Sequence, residues 1–351
     1  LSDLHTKTLE ACERLIQQLE GNSDRDIWLN ALQILVQIGH LDLTRLDAKI
    51  LTATLRDMEA GYRVFAAHRH TRKITIFGSA RLSYDSPEFQ QAIAFAQCIT
   101  QQGFAVMTGG GGGIMEAGNK GAGLENSFGL NIQLPFEQEA NPVLAQSDRV
   151  INFKYFFVRK LFFLKESDAV VLFPGGFGTQ DEGFECLTLM QTGKAQLMPL
   201  VLVDRPGGQY WYEWDRYVRS NLLASGLISP EDIEIYSITD DVNVACKTVA
   251  DFYRTFHSNR FVGDRLVLRL NTELTDASVA QLNEDFRDIL VSGQIEKSTA
   301  LPPERGDETE RLPRLVLHFN QRNFGRLWQL VQAINSLECV DHQTNLHPEI
   351  K

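Results

Sequence analysis

Three glycine-rich loops, each directly behind a short apolar run, constrain this chain more than any other feature. Ile74-Thr75-Ile76-Phe77 ends at Gly78-Ser79. Ala105-Val106-Met107 runs through Thr108 into five glycines, Gly109 to Gly113. Asp168-Ala169-Val170-Val171-Leu172-Phe173 ends in Pro174-Gly175-Gly176-Phe177-Gly178-Thr179. Further short runs are Phe128 to Leu134 (stopping at Pro135), Val150 to Phe153 and Leu200 to Val203, with helix-length segments such as Ala92–Gln102 and 154–166 between them. Strands alternating with helices predict an α/β fold, a parallel sheet with helices on both faces. Right-handed crossovers then bring every strand's carboxyl end to one edge, where open α/β sheets bind ligands.

A glycine lets backbone approach a ligand closely and adopt positive φ. Two of the loops lead into helices, whose N-termini offer unpaired N–H groups and partial positive charge, and Thr179 can add a hydroxyl. One such loop alone would read as a turn; three on one edge predict a phosphate site. The nucleoside-triphosphate loop G-x-x-x-x-G-K-[ST] is absent, since Gly113 to Gly118 is followed by Asn119-Lys120. The dinucleotide pattern G-x-G-x-x-G also fails, because Gly111-x-Gly113 reaches Glu116 where the third glycine belongs.

The flanks differ in texture. Residues 1–72 read as helical, with apolar stripes over Leu4 to Leu19 (closed by Gly21-Asn22), Ile27 to Ile38 and Leu43 to Ala67. Residues 73–258 form the α/β domain, and residues 264–351 a small α+β unit. The latter has strands Arg265–Leu270 and Arg314–Phe319 and helices Ala277–Leu290 and Gly325–Ile334. In it, Pro302 to Glu308 reads as a mobile polar loop, and Arg311 and Arg314 as surface charges. The net charge of −11 argues against general nucleic-acid binding, which depends on neutralising phosphates. The longest charge-free stretch, Phe89 to Met115, is broken by glutamines and glycines, so no membrane span is expected, nor is a secretory signal ahead of the helices. The five scattered cysteines, without a C-x-x-C pair, predict neither a disulfide framework nor a zinc ribbon and suit a reducing, cytoplasmic compartment. No H-E-x-x-H occurs, His68-x-His70 is isolated, and no metal site is expected.

Pro174 to Glu182 matches P-G-G-x-G-T-x-x-E, with Arg159-Lys160 upstream and Ser167-Asp168 before the strand. Thr108 to Ala122, TGGGGGIMEAGNKGA, and Ile76 to Arg81, IFGSAR, complete a set of four motifs. In this order they resemble the Lonely Guy (LOG) family, long labelled lysine decarboxylase-like, over about residues 73 to 255. The resemblance implies a Rossmann-like fold in a homodimer or larger homo-oligomer. It implies a phosphoribohydrolase that splits nucleoside 5′-monophosphates, such as AMP or cytokinin nucleotides, into free base and ribose 5-phosphate. It argues against pyridoxal phosphate, and no cofactor is expected. The same fold serves molybdenum-cofactor carriers, so the alternative is a non-catalytic nucleotide or phosphorylated-cofactor binding protein, a carrier or a sensor. Gln180 and Gly183 depart from the family, which often has leucines there.

Splitting an N-glycosidic bond builds positive charge on the ribose and negative charge on the departing base. A carboxylate near the sugar stabilises the first or activates water, a role that falls to Glu182; a cation compensates the second or binds phosphate, which falls to Arg159. The phosphate is expected on Gly175, Gly176, Gly178 and Thr179, together with Gly110, Gly111, Gly112 and Gly113. Gly78 and Ser79 line the first loop, and Lys160 and Glu116 are further substrate contacts. Phe153 to Leu164, FKYFFVRKLFFL, holds more aromatics than one helix face can bury, which predicts coverage by a partner subunit.

Overall fold

The computed structural model describes residues 10–18, 24–134 and 140–340, in two compact units that meet in sequence between Arg56 and Asp57. The described part of the first unit is helical at 10–16, in α1 (Arg25–Gly39) and in the opening turns of α2 (Arg45–Ala66). Thr44 and Asp47 start α2 reciprocally: the Thr44 N–H and hydroxyl donate to the Asp47 carboxylate (3.0 and 2.7 Å), and the Asp47 N–H donates to Thr44 Oγ1 (3.2 Å). The readings at Leu4, Leu19, Gly21, Asn22 and Pro135 lie outside the described residues.

The second unit is built on seven parallel strands: β1 (Lys73–Phe77), β2 (Ala105–Thr108), β3 (Ser127–Ile132), β4 (Val150–Phe153), β5 (Ala169–Leu172), β6 (Leu200–Val203) and β7 (Tyr236–Thr239). Their order is β4-β3-β2-β1-β5-β6-β7. The strands are apolar on both sides, as a sheet covered by helices on both faces requires. Ile74, Ile76, Val106, Val171 and Val201 face one core, with α3 (Pro87–Gln101), α4 (Ile114–Ala122) and α8 (Val242–Phe252). Phe77, Met107, Leu130, Val170 and Leu202 face the other, with α5 (Phe156–Glu166), α6 (Phe177–Gln191) and α7 (Tyr210–Tyr217). This is the α/β, Rossmann-like sheet that the loops and motifs predict. Strand order reverses between β1 and β5, which opens a crevice at their carboxyl ends.

A second, antiparallel sheet follows in the order β10-β11-β9-β8, from β8 (Phe256–Val262), β9 (Arg265–Leu270), β10 (Leu290–Ser298) and β11 (Arg314–Phe319). α9 (Asp276–Asp285) and α10 (Phe324–Ser336) supply its core with Leu282, Leu327, Leu330 and Ile334. Three expectations are corrected here. The helix from Ala277 ends at Asp285 rather than Leu290, and Leu290 begins a strand. Arg314 is not a surface charge but fully buried. The 302–308 segment is not a free loop: Glu304, itself fully buried, accepts from Arg269 (3.0 and 2.8 Å) and Arg314 (3.1 Å) and holds the segment against β9 and β11.

Candidate active site

The three glycine loops meet at one residue, Ser79. Its N–H donates to Pro174 O (3.1 Å), joining the β1 loop to the β5 loop across the crevice. Its carbonyl accepts from Ile114 N–H (3.0 Å), joining the same loop to the start of α4. Gly113 has φ +63° and packs so tightly on Ser79 O that no side chain fits. Gly110, with φ +73°, presses as closely on Asn131 Oδ1. Behind this loop lies a buried polar network. Thr108 Oγ1 accepts from Gly110 N–H (3.0 Å) and donates to Asn119 Oδ1 (2.7 Å). Asn141 donates to Asn119 Oδ1 (2.9 Å) and Gly111 O (3.1 Å).

α6 begins within the third loop, so Phe177, Gly178 and Thr179 form its first turn. Gly176 is its N-cap and offers no side chain to cap it. The first intrahelical donor is Gln180 N–H, to Gly176 O (3.1 Å); the N–H groups of residues 177 to 179 find no acceptor among the described residues. Unpaired N–H groups at the positive end of a helix are suited to an anion. Tyr210 steadies the loop, its hydroxyl donating to Gly175 O (2.5 Å) and accepting from Gln180 Nε2 (2.7 Å).

Arg159 and Glu182 are both buried and electrostatically coupled. Arg159 Nε donates to Leu130 O at the end of β3 (2.7 Å), and the guanidinium covers the Phe163 ring at 5.0 Å. Its Nη2 lies 2.5 Å from where a Cβ on Gly109 would stand, so the guanidinium adjoins the second glycine loop. Asp57 Oδ2 accepts from the N–H groups of Lys154 (2.8 Å) and Tyr155 (3.1 Å), fixing the turn that launches α5 and Arg159. Burial pushes the Glu182 carboxyl up to about 7, against the lowering fields of Lys160 and Arg159. Burial also disfavours the charge on Arg159, and Glu182 opposes that.

Lys160 is surrounded by carboxylates: Asp181 at 2.7 Å, Glu185 at 2.5 Å and Glu182 at 3.6 Å. Burial disfavours its charge, but the bonds to Asp181 and Glu185 outweigh that and raise its pKa. Asp181 is thus one arm of this cluster. Glu116 accepts from the Tyr84 hydroxyl (2.5 Å), which raises the Tyr84 pKa. Thr179 is buried, its hydroxyl folded back against Gly175. Asp168, part of the Ser167-Asp168 motif, stands at the opposite edge of the sheet, accepting from Lys73 N–H (2.8 Å) and Arg72 Nη1 (2.9 Å). Gly183 lets α6 lie close on β5: a Cβ there would lie 2.8 Å from Leu172 Cδ1, which would have to shift. Tyr210, Asn131 and Asn141 escape sequence reasoning, because no short motif joins them to the glycine loops that they touch.

Three glycine loops and an uncapped helix N-terminus thus gather at the switch point of an α/β parallel sheet. Residues 107–249 match the family model described as "Possible lysine decarboxylase", the LOG-like family that the four motifs resemble. No curated protein matches the chain. Among solved structures, the molybdenum cofactor binding protein of Rippkaea orientalis is 18% identical at a TM-score of 0.36, over 51% of this chain and 96% of that one. The molybdenum cofactor carrier protein of Chlamydomonas reinhardtii is 22% identical at a TM-score of 0.37, with the same coverages. Likenesses of this strength decide nothing about ligand or activity.

Proposed function

We propose that the protein hydrolyses the N-glycosidic bond of nucleoside 5′-monophosphates, AMP or cytokinin-type nucleotides, to free base and ribose 5-phosphate. The observation that carries this reading is the buried Glu182 carboxyl beside Arg159, on the helix whose N-terminus is the anion seat. Binding a phosphate gives no reason to bury a carboxyl there, because it repels the anion. Charge developing on a ribose ring does.

In this mechanism the phosphate rests on the N–H groups of residues 177 to 179 and on the 110–113 loop. Glu182, ionised, faces the sugar and stabilises the oxocarbenium-like transition state or takes a proton from the attacking water. Arg159 compensates charge on the departing base or on the phosphate. Lys160, tied to three carboxylates, holds Glu182 rather than substrate. Pyridoxal phosphate, which a lysine decarboxylase would use, needs a lysine free to give up its proton, and Lys160 is instead paired with Asp181, Glu185 and Glu182.

The test is incubation of the protein with a panel of nucleoside monophosphates, reading base and ribose 5-phosphate. Release of both from at least one nucleotide is expected. Nucleotide bound tightly and left intact would overturn the reading in favour of a carrier or sensor.

A further inference from the structure

We infer that Cys98 on α3 and Cys246 on α8 form a reversible thiol–disulfide pair, oxidised by small disulfides of the glutathione type. The two helices share one core, in which Ala92 and Ala96 of α3 and Ala245 and Val249 of α8 are buried. The Cys246 thiol lies over the turn of α3 that carries Cys98: its Sγ donates to Phe95 O at 3.7 Å, one turn before Cys98. Cys98 stands near enough to help hold the Cys246 thiol in its neutral form. Their access to solvent differs. Cys246 is buried, whereas Cys98 is half-buried and lines an open groove of about 690 Å³ with Gln91, Gln97, Gln101 and Asp240. A small reagent thus reaches one thiol, and the second waits beside it.

The chemistry balances as two successive exchanges. The Cys98 thiolate attacks one sulfur of the glutathione disulfide; that S–S bond breaks, and one glutathione leaves as thiolate and takes a proton. Cys246 then attacks Cys98 Sγ, loses its proton to water and expels the second glutathione. Two protein thiols are oxidised, and one small disulfide is reduced to two thiols. Burial and the neighbouring thiol push the Cys246 pKa up, so the second exchange is the slow one. All five cysteines are free in the present structure.

The experiment treats the folded, full-length protein with oxidised glutathione, blocks remaining thiols and maps peptides without reduction. A Cys98–Cys246 cross-link that dithiothreitol reverses is expected, with a raised thermal midpoint because a long loop is closed. Buried Cys186 remains reduced. Cys246→Ser should stop the reaction at a glutathione adduct on Cys98, and Cys98→Ser should leave Cys246 unmodified. A persistent Cys98 adduct without cross-link in the unsubstituted protein would overturn the inference. So would a cross-link that forms only in denaturant.

Discussion

Glu182 is where activity and stability pull in opposite directions. Its folded pKa, about 7, lies above that of an unfolded glutamate, about 4.3. Between those values the folded state holds a proton that the unfolded state has lost, so stability falls as pH rises through this window and levels off above 7. Glu182→Gln removes the ionisation. At pH 8 it should stabilise the protein by up to about 3 kcal/mol in urea unfolding, while hydrolysis of AMP falls at least ~100-fold. Affinity for an uncleaved analogue should change little, as the phosphate is held elsewhere; unchanged turnover would sink the assigned role. The rate should also rise with pH up to about 7, because the ionised form works. Lys160→Met removes a charge that lowers the Glu182 pKa, so this limb should move to higher pH in a rate profile; a limb that stays in place would separate Lys160 from Glu182. The positions of Arg159 and Glu182 were legible in the motifs. The cage around Lys160 was legible only in part: Asp181 and Glu185 flank the motif glutamate, but nothing in linear spacing turns them toward α5.

At the scale of elements, apolar runs announced themselves and mixed ones did not. β1, β2, β5 and β6 are largely apolar segments, and glycine loops mark the ends of the first three. β8 carries His257, Asn259 and Arg260, and β10 carries Gln294, Glu296 and Lys297; both are edge strands of their sheet, where polar residues face water. Their pattern therefore merged with the neighbouring loops and helix. Arg269, Arg314 and Glu304 mislead for another reason. Charged residues are usually exposed, and only contact between distant segments reveals that two guanidinium groups close over one carboxylate. Glu304→Gln leaves the buried Arg314 without a counter-charge and Arg269 with only Asp307, at 3.4 Å, and should cost about 3–5 kcal/mol in urea unfolding. A loss below 1 kcal/mol would mean that the 302–308 segment is held by other contacts.

Across the whole molecule, half of the aromatics in FKYFFVRKLFFL are accounted for within the chain. Phe153, Phe162 and Phe163 are buried, but Phe156, Phe157 and Leu161 on α5 stay about half exposed, and Phe177 at the head of α6 is 97% exposed. A homodimer that covers this surface is the expected assembly. Light scattering at micromolar concentration should give twice the 39.6 kDa chain mass, and Phe157→Asp should shift it toward monomer; a monomeric parent protein would refute the assembly. The uncapped start of α6 leaves a trace in time as well as in space. In deuterated buffer, the Phe177 and Gly178 amides should exchange almost as fast as those of a loose peptide. The Ser79 and Ile114 amides nearby, each already bonded, should lag far behind. A phosphate monoester settling on the helix would erase that contrast, so the cleft keeps its own clock, set running by the ligand's departure.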